Sequence, residues 1–97
     1  MYNHLVLFKF DSSTSDEQKK EAILRLKSLK DSIPGIEDLK AGHNFSERNK
    51  GYDIGLSVIL TNKLALEEYG PHPKHQEVVS YLNNIGLIDL VIVDFEI

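Results

Sequence analysis

The sequence contains neither cysteine nor tryptophan. Without cysteine the chain can form no disulfide, offers no thiolate nucleophile and cannot hold zinc through sulfur. An excess of basic charge is also missing, because 15 acidic residues outnumber 11 lysines and arginines and give a net charge of −4. Proteins that bind nucleic acid need a basic surface for the phosphates, so this composition argues against a nucleic-acid partner.

Long apolar runs are absent as well. The longest, Leu87–Val93, is interrupted by Asp89 and is far shorter than the roughly 20 residues that span a bilayer. The N-terminus has no basic segment followed by an apolar one, and Lys9 and Asp11 come too early for a signal peptide. We therefore expect no membrane association and a cytoplasmic location.

The overall composition, with 41% hydrophobic and 27% charged residues, is typical of a globular protein. Its length predicts one domain over residues 1–97. A chain of this length buries only a modest core. Association with a second subunit is a common way of burying more apolar surface.

Hydrophobic periodicity predicts the element order βαββαβ. The strands are predicted at Asn3–Phe10, Ile36–Phe45, Tyr52–Leu60 and Leu90–Ile97. This order is typical of the ferredoxin-like α+β fold, in which two helical regions cover one face of a four-stranded antiparallel sheet.

The first helix is predicted to run from a capping box to about Ser32. Two pairs of side chains can form the box, either Ser15 with Gln18 or Thr14 with Glu17. Apolar residues recur along this helix at helical spacing, and the proline-glycine pair that follows it ends the helix.

The second helical region is predicted as two helices, from Lys63 to Tyr69 and from Pro73 to about Asn83. The segment Tyr69–His75 spans the break between these helices. It reads YGPHPKH and places a phenol and two imidazoles close to a glycine and two prolines. Helical spacing puts the side chains of Tyr69 and His75 on the inward faces of their helices. Each is the obvious hydrogen-bond partner for the other, since buried polar groups need partners.

One face of the sheet is predicted to form a pocket for a small organic ligand beneath these two side chains. The residues expected to line the pocket are His4, Val6, Phe8, Ile54, Leu56, His72, Leu90 and Ile92. Two of them have a second interpretation, because His4 can be an end-of-strand residue near solvent and His72 can cap the following helix. His72 and His75 lack a nearby carboxylate, so we expect no metal site.

The opposite face of the first and last strands is also apolar. It carries Leu5, Leu7, Val91, Val93 and Phe95. Helices can cover only one face of the sheet, and an exposed apolar patch usually marks an interface. The simplest solution is a homodimer in which two sheets pack face to face as a barrel with two-fold symmetry.

Short motifs along the whole chain resemble the stress-responsive dimeric A/B-barrel (Dabb) family. They are His4–Phe10, Ile33–Ile36, Gly42–Ser46, Lys50–Asp53, Tyr69–His75 and Val93–Phe95. The resemblance implies a homodimeric ferredoxin-like barrel, which agrees with the two apolar faces. It does not imply one function, since most members have no assigned reaction and some are known only as stress-associated proteins.

One plant branch of the family acts as a polyketide cyclase, closing a poly-β-keto chain by aldol condensation without a metal or redox cofactor. The resemblance places its catalytic tyrosine and histidine on Tyr69 and His75. The chain departs from this branch at Ile54, where the plant enzyme has a histidine, and at Ile23 and Leu26, where it has larger aromatic residues. The pocket therefore differs in shape, and the plant substrate does not carry over.

Three functional hypotheses follow from this resemblance together with the residues of the predicted pocket. The chain is a ligand-binding Dabb protein, a cofactor-free cyclase or lyase, or a purely structural stress-associated dimer. For the second, His75 near a helix N-terminus stays neutral and serves as general base, while Tyr69 donates a hydrogen bond to the carbonyl oxygen on which negative charge develops.

Overall fold

The computed structural model describes residues 1–97 as one antiparallel sheet covered by helices. Its elements are β1 (Tyr2–Phe10), α1 (Asp16–Ser32), β2 (Ile36–His43), β3 (Tyr52–Leu60), α2 (Lys63–Tyr69), α3 (Pro73–Asn84) and β4 (Leu87–Glu96). The strands are ordered β2-β3-β1-β4, and every neighbouring pair is antiparallel. This is the predicted ferredoxin-like arrangement, so the fold prediction is confirmed. None of the helices is both long enough and apolar enough to span a bilayer.

Two strand ends differ from the prediction by more than one residue. β4 begins at Leu87 instead of Leu90, because an irregularity between Lys9 and Phe10 lets β1 continue pairing as far as Leu87. β2 ends at His43 instead of Phe45. The Asn44 side chain causes this early end, since it donates to the Tyr52 carbonyl and accepts from the Ser46 amide to form a turn.

The start of α1 settles which pair of residues forms the capping box. Ser15 accepts from the Gln18 amide, and the Gln18 side chain accepts in return from the Ser15 amide. Thr14 is buried and instead donates its hydroxyl proton to the Ile85 carbonyl. The chain then leaves α1 through Gly35, whose φ of +90° few other residues adopt.

The core lies between one face of the sheet and the three helices. Its buried apolar residues alternate along the strands with residues of the other face, as a strand period of two requires. The largest fully buried side chains are Leu29, Ile54, Leu60 and Val58.

The other sheet face carries no helix, and we call it the open face. Leu7 and Val91 are each 41% exposed, Val93 is 49% exposed and Phe95 is 41% exposed, while Leu5 is half-buried. These are the residues predicted to form a dimer interface, and they form one continuous patch because β1 pairs with β4. β4 is also an edge strand of the sheet. Exposed apolar patches on proteins commonly mark interaction sites.

Candidate functional site

A cavity of about 290 Å³ lies between the helix-covered face of the sheet and helices α2 and α3. Most of the predicted pocket residues line it. They are His4, Val6, Phe8, Leu56, Leu90 and Ile92, together with Tyr69 and His75. The walls are apolar except at one end, where His4, Tyr69, His75 and Asp94 lie together; we call these four residues the polar end.

Two residues predicted to line the pocket do not. Ile54 is completely buried in the core, because its strand position points it into the packed layer between the sheet and the helices. His72 is the N-cap of α3, and its Nδ1 atom accepts a hydrogen bond from the Lys74 amide at 3.1 Å. The capping interpretation of His72 therefore describes its place in the structure.

The position of His75 follows from the break between α2 and α3. Its Nδ1 atom lies 2.8 Å from the Gly70 carbonyl oxygen. A carbonyl oxygen can only accept, so Nδ1 carries a proton and the neutral ring has its lone pair on Nε2. Burial lowers the pKa of His75, an effect that the bond to Gly70 opposes and the nearby His4 and His72 reinforce. His75 is thus a neutral imidazole with a free Nε2, suited to accept a proton.

Tyr69 is the most deeply buried polar side chain beside the cavity, with 2% of its surface exposed. Its ring centroid lies 4.5 Å from that of His75 and 5.4 Å from that of His4. The predicted hydrogen bond to His75 is not formed: the rings are in contact, and the His75 Nδ1 proton goes to Gly70 instead.

The hydroxyl of Tyr69 is buried and has no hydrogen-bond partner. Burial raises the pKa of Tyr69 to about 12, so the phenol remains protonated and can donate at neutral pH. A buried polar group without a partner costs about 1–3 kcal/mol. Such a group in a native fold requires an explanation, and a ligand oxygen accepting from the phenol supplies one.

His4 is held by an acidic residue that the sequence analysis did not select. Its Nδ1 atom lies 2.5 Å from Asp94 Oδ1, and the His4 side chain is only 12% exposed. His4 is therefore a cavity residue and not an exposed strand end. Strand periodicity could have found Asp94, since it shares a face with Leu90 and Ile92 and pairs with His4 across the sheet.

The polar end is not arranged as a metal centre. No three histidine, aspartate or glutamate side chains lie close enough together to hold a metal ion. What the geometry provides is a base, a hydrogen-bond donor and a carboxylate-bound imidazole at one end of an apolar cavity. These are the groups required to move a proton and to stabilise charge on an oxygen.

Comparison with known proteins identifies the family. The model of the Stress Responsive A/B Barrel Domain, Dabb, matches residues 2–97. The chain belongs to this family. Among curated proteins, olivetolic acid cyclase of Cannabis sativa is 28% identical over 74 residues, which make up 74% of this chain and 73% of the cyclase.

Solved structures share the fold over nearly the whole chain. A dimeric ferredoxin-like protein of unknown function from Jannaschia sp. CCS1 is 27% identical, with a TM-score of 0.80 over 99% of this chain and 98% of the other. Hydroxynitrile lyase from Passiflora edulis has a TM-score of 0.85 over 99% of this chain and 92% of its own. That lyase is 16% identical, so the likeness is one of fold.

We predict that His75 titrates below its ordinary pKa of 6.5, because burial disfavours the imidazolium form. As the pH falls, His75 is protonated in the unfolded chain before it is protonated in the folded chain. The contribution of His75 to the free energy of unfolding is therefore fully present above about pH 6.5 and is lost as the pH falls toward the lower pKa of the folded state. NMR titration of the ring Cε1 proton measures the midpoint, and urea unfolding at about pH 7.5 and about pH 5.5 measures the stability change. In His75→Gln this part of the pH dependence is lost. A midpoint at or above 6.5 contradicts the prediction.

Proposed function

We propose that this Dabb protein binds a small organic carbonyl compound in the cavity and removes a proton from a carbon of that ligand, without a metal or redox cofactor. One observation carries the proposal. The phenol hydroxyl of Tyr69, a donor with no partner, and the free Nε2 of His75 belong to neighbouring side chains of the same apolar cavity. A proton donor to oxygen and a proton acceptor from carbon are thereby available to one ligand.

The cavity limits the class of ligand. Its volume of about 290 Å³ is near the lower end of the range of small-molecule sites, which starts at about 300 Å³. Apolar side chains such as Val6, Phe8 and Leu82 favour an alkyl chain or a single aromatic ring. The carbonyl group of the ligand belongs at the polar end, where its oxygen accepts from Tyr69.

The proposed step is the formation of an enolate. Nε2 of His75 takes a proton from a carbon between two carbonyl groups, and the electron pair of the broken C–H bond moves onto a carbonyl oxygen. Tyr69 stabilises that oxygen by hydrogen bonding, a contribution that grows as negative charge develops. The enolate carbon can then attack a second carbonyl of the same ligand, which forms a carbon–carbon bond in an aldol-type cyclisation and leaves a new oxyanion to take up the proton.

The kinship with olivetolic acid cyclase supports this chemical class. The chain differs from the plant branch at Ile54, which is core here, and at Leu26, which lines the cavity. Because the side chains that line the cavity differ, we expect a different ligand. We therefore propose β-dicarbonyl compounds as a class and not the plant substrate.

A purely structural role explains only part of the site. The bond from His75 to Gly70 ties α3 to the helix break and by itself serves stability. It leaves the buried hydroxyl of Tyr69 without a partner, a cost that a structural tyrosine would avoid as phenylalanine. Ligand binding without turnover gives the Tyr69 hydroxyl a partner. It does not explain why the Nε2 atom of His75 lies beside that hydroxyl and is free to accept a proton.

We predict that the protein accelerates hydrogen–deuterium exchange at the carbon between the two carbonyls of ethyl 3-oxohexanoate in D₂O, measured by NMR. His75→Gln should lower the catalysed rate by about 10²–10⁴-fold, because the general base is lost. Tyr69→Phe should lower it by about 10²–10³-fold, because an oxyanion donor is lost.

The matched control for that experiment is His43→Gln, which removes an exposed histidine on β2 and should leave the rate unchanged. Circular dichroism checks that each variant is folded. Exchange at the wild-type rate in folded His75→Gln would refute the proposed chemistry, whereas binding without any catalysed exchange would reduce it to ligand binding.

We further propose that the protein is a homodimer joined through the open face. The exposed aliphatic patch supports this arrangement, as does the dimeric ferredoxin-like relative from Jannaschia. Face-to-face packing of the two sheets would remove the patch from water, and apolar burial stabilises association by about 25 cal/mol per Å² before the entropic cost of association.

Val93→Glu should therefore give a monomer in sedimentation velocity experiments at micromolar concentration, because it introduces an unpaired charge into the interface. Leu64→Glu is the matched control, since Leu64 is 61% exposed on α2, a helix on the covered side of the sheet. A wild-type monomer, or a dimer that tolerates Val93→Glu, would contradict the proposed interface.

A further inference from the structure

The cavity lining carries no cationic side chain other than what its histidines can supply. Asp94 is the only aspartate, glutamate, lysine or arginine among the residues that line the cavity. Since His75 is neutral, the net charge of the lining is −1 when His4 is neutral and zero when His4 is protonated. In neither state is the lining positive.

Asp94 lies where the cavity opens to solvent. Leu90, Ile92 and Asp94 share the helix-covered face of β4, yet Leu90 is 41% exposed, Ile92 is 50% exposed and the Asp94 side chain is 42% exposed. The helices therefore leave the β4 side of the cavity uncovered. A ligand that enters from this side passes the carboxylate of Asp94 before it reaches Tyr69 and His75.

The start of α3 lies beside the cavity and would otherwise suit an anion, since a helix N-terminus offers free amides and a partial positive charge. These amides are already taken. The Lys74 amide donates to Nδ1 of His72 at 3.1 Å, and the Gln76 amide donates to the His72 carbonyl at 3.0 Å. The Lys74 side chain is paired with Glu77 at 3.5 Å. The start of α3 therefore offers no counter-ion to a carboxylate in the cavity.

We propose that Asp94 makes the cavity selective for uncharged dicarbonyl compounds, such as esters, amides and ketones, and excludes those that carry a free carboxylate. This inference rests on the function proposed above and narrows its substrate class. Two negative charges close together in a partly desolvated site repel each other. The carboxylate of the ligand would also lose hydration without gaining a partner.

The proposed proton transfer suits an uncharged ligand. Transfer of the carbon-bound proton to Nε2 of His75 creates an imidazolium and an enolate in the same cavity, so the net charge of the occupied site stays constant. With a carboxylate ligand, the enolate would be a second negative charge on the same small molecule, close to Asp94. Both binding and proton transfer therefore favour the uncharged compound.

Asp94 also contacts His4, because its Oδ1 atom lies 2.5 Å from Nδ1 of that ring. This contact would orient His4 whatever the charge of the ligand. Asp94→Asn separates the two roles, since the Oδ1 atom of asparagine still accepts from the ring while the negative charge is gone. A positioning role alone would make the variant weaken all ligands alike. The proposed role changes the discrimination between charged and uncharged ligands.

Binding of 3-oxohexanamide and 3-oxohexanoate tests the inference, because the two compounds have the same number of non-hydrogen atoms and differ in charge. The ¹H–¹⁵N NMR signal of Gly70, which lines the cavity, reports each dissociation constant. In wild-type protein at about pH 7.5 the amide should bind at least about tenfold more tightly than the anion. In Asp94→Asn the dissociation constant of the anion should fall about tenfold, and that of the amide should change less than about twofold.

Asp31→Asn is the matched control, since it removes the same charge from an exposed position on α1 and should leave the two affinities unchanged. Equal binding of the two compounds to wild-type protein overturns the inference while the proposed function stands. An equal change for both compounds in Asp94→Asn does the same. If neither compound binds to wild-type protein, the proposed function fails, and the inference fails with it.

The exchange reaction gives a second readout that a poorly folded variant cannot imitate. At substrate concentrations below saturation, Asp94→Asn should accelerate hydrogen–deuterium exchange of 3-oxohexanoate by about tenfold, because the variant binds the anion more tightly. Exchange of uncharged ethyl 3-oxohexanoate should stay within about twofold of the wild-type rate. Exchange of 3-oxohexanoate at the wild-type rate or below would show that Asp94 does not exclude carboxylates.

Discussion

The hydrogen bonds to the Gly70 carbonyl organise the candidate site. In a continuous helix this carbonyl would accept from the amide of Lys74, but that amide donates to His72 at the start of α3. The freed carbonyl accepts instead from His75 Nδ1 at 2.8 Å and from the Gln76 side chain at 2.7 Å. One bond therefore fixes the ring orientation and tautomer of His75 and leaves Nε2 free for chemistry.

The two faces of the sheet have different roles. One face forms the core and the cavity with the helices, and the other remains apolar and uncovered. Only 17 of the 97 residues are buried in the single chain, so a partner on the open face would add substantially to the apolar area removed from water. The edge strand β4 contributes to both roles, with Leu90 and Ile92 in the cavity wall and Val91 and Val93 on the open face.

Periodicity predicted the fold because each strand alternates clearly and each helix has a recognisable start. It failed at the start of β4. There an irregularity between Lys9 and Phe10 of β1 lets the two strands remain paired as far as Leu87, beyond the stretch of β4 that alternates regularly. Helical spacing also brought Tyr69 and His75 to the cavity, but it could not show that a backbone carbonyl would take the histidine proton. Asp94 was missed because its role depends on pairing with His4, ninety positions away in the chain. Ile54 and His72 were assigned to the cavity, since a pattern shows which way a residue faces but not how deeply it is packed or which backbone group it caps.

Histidine-ring ¹⁵N NMR with and without ethyl 3-oxohexanoate tests the central claim most directly, since the claim concerns one nitrogen atom. The account predicts that His75 is neutral with its proton on Nδ1, and that the Nε2 resonance shifts when the ligand binds, while the ring of exposed His43 is unaffected. A proton on Nε2 in the free protein, or an unchanged His75 ring at saturating ligand, would contradict the account.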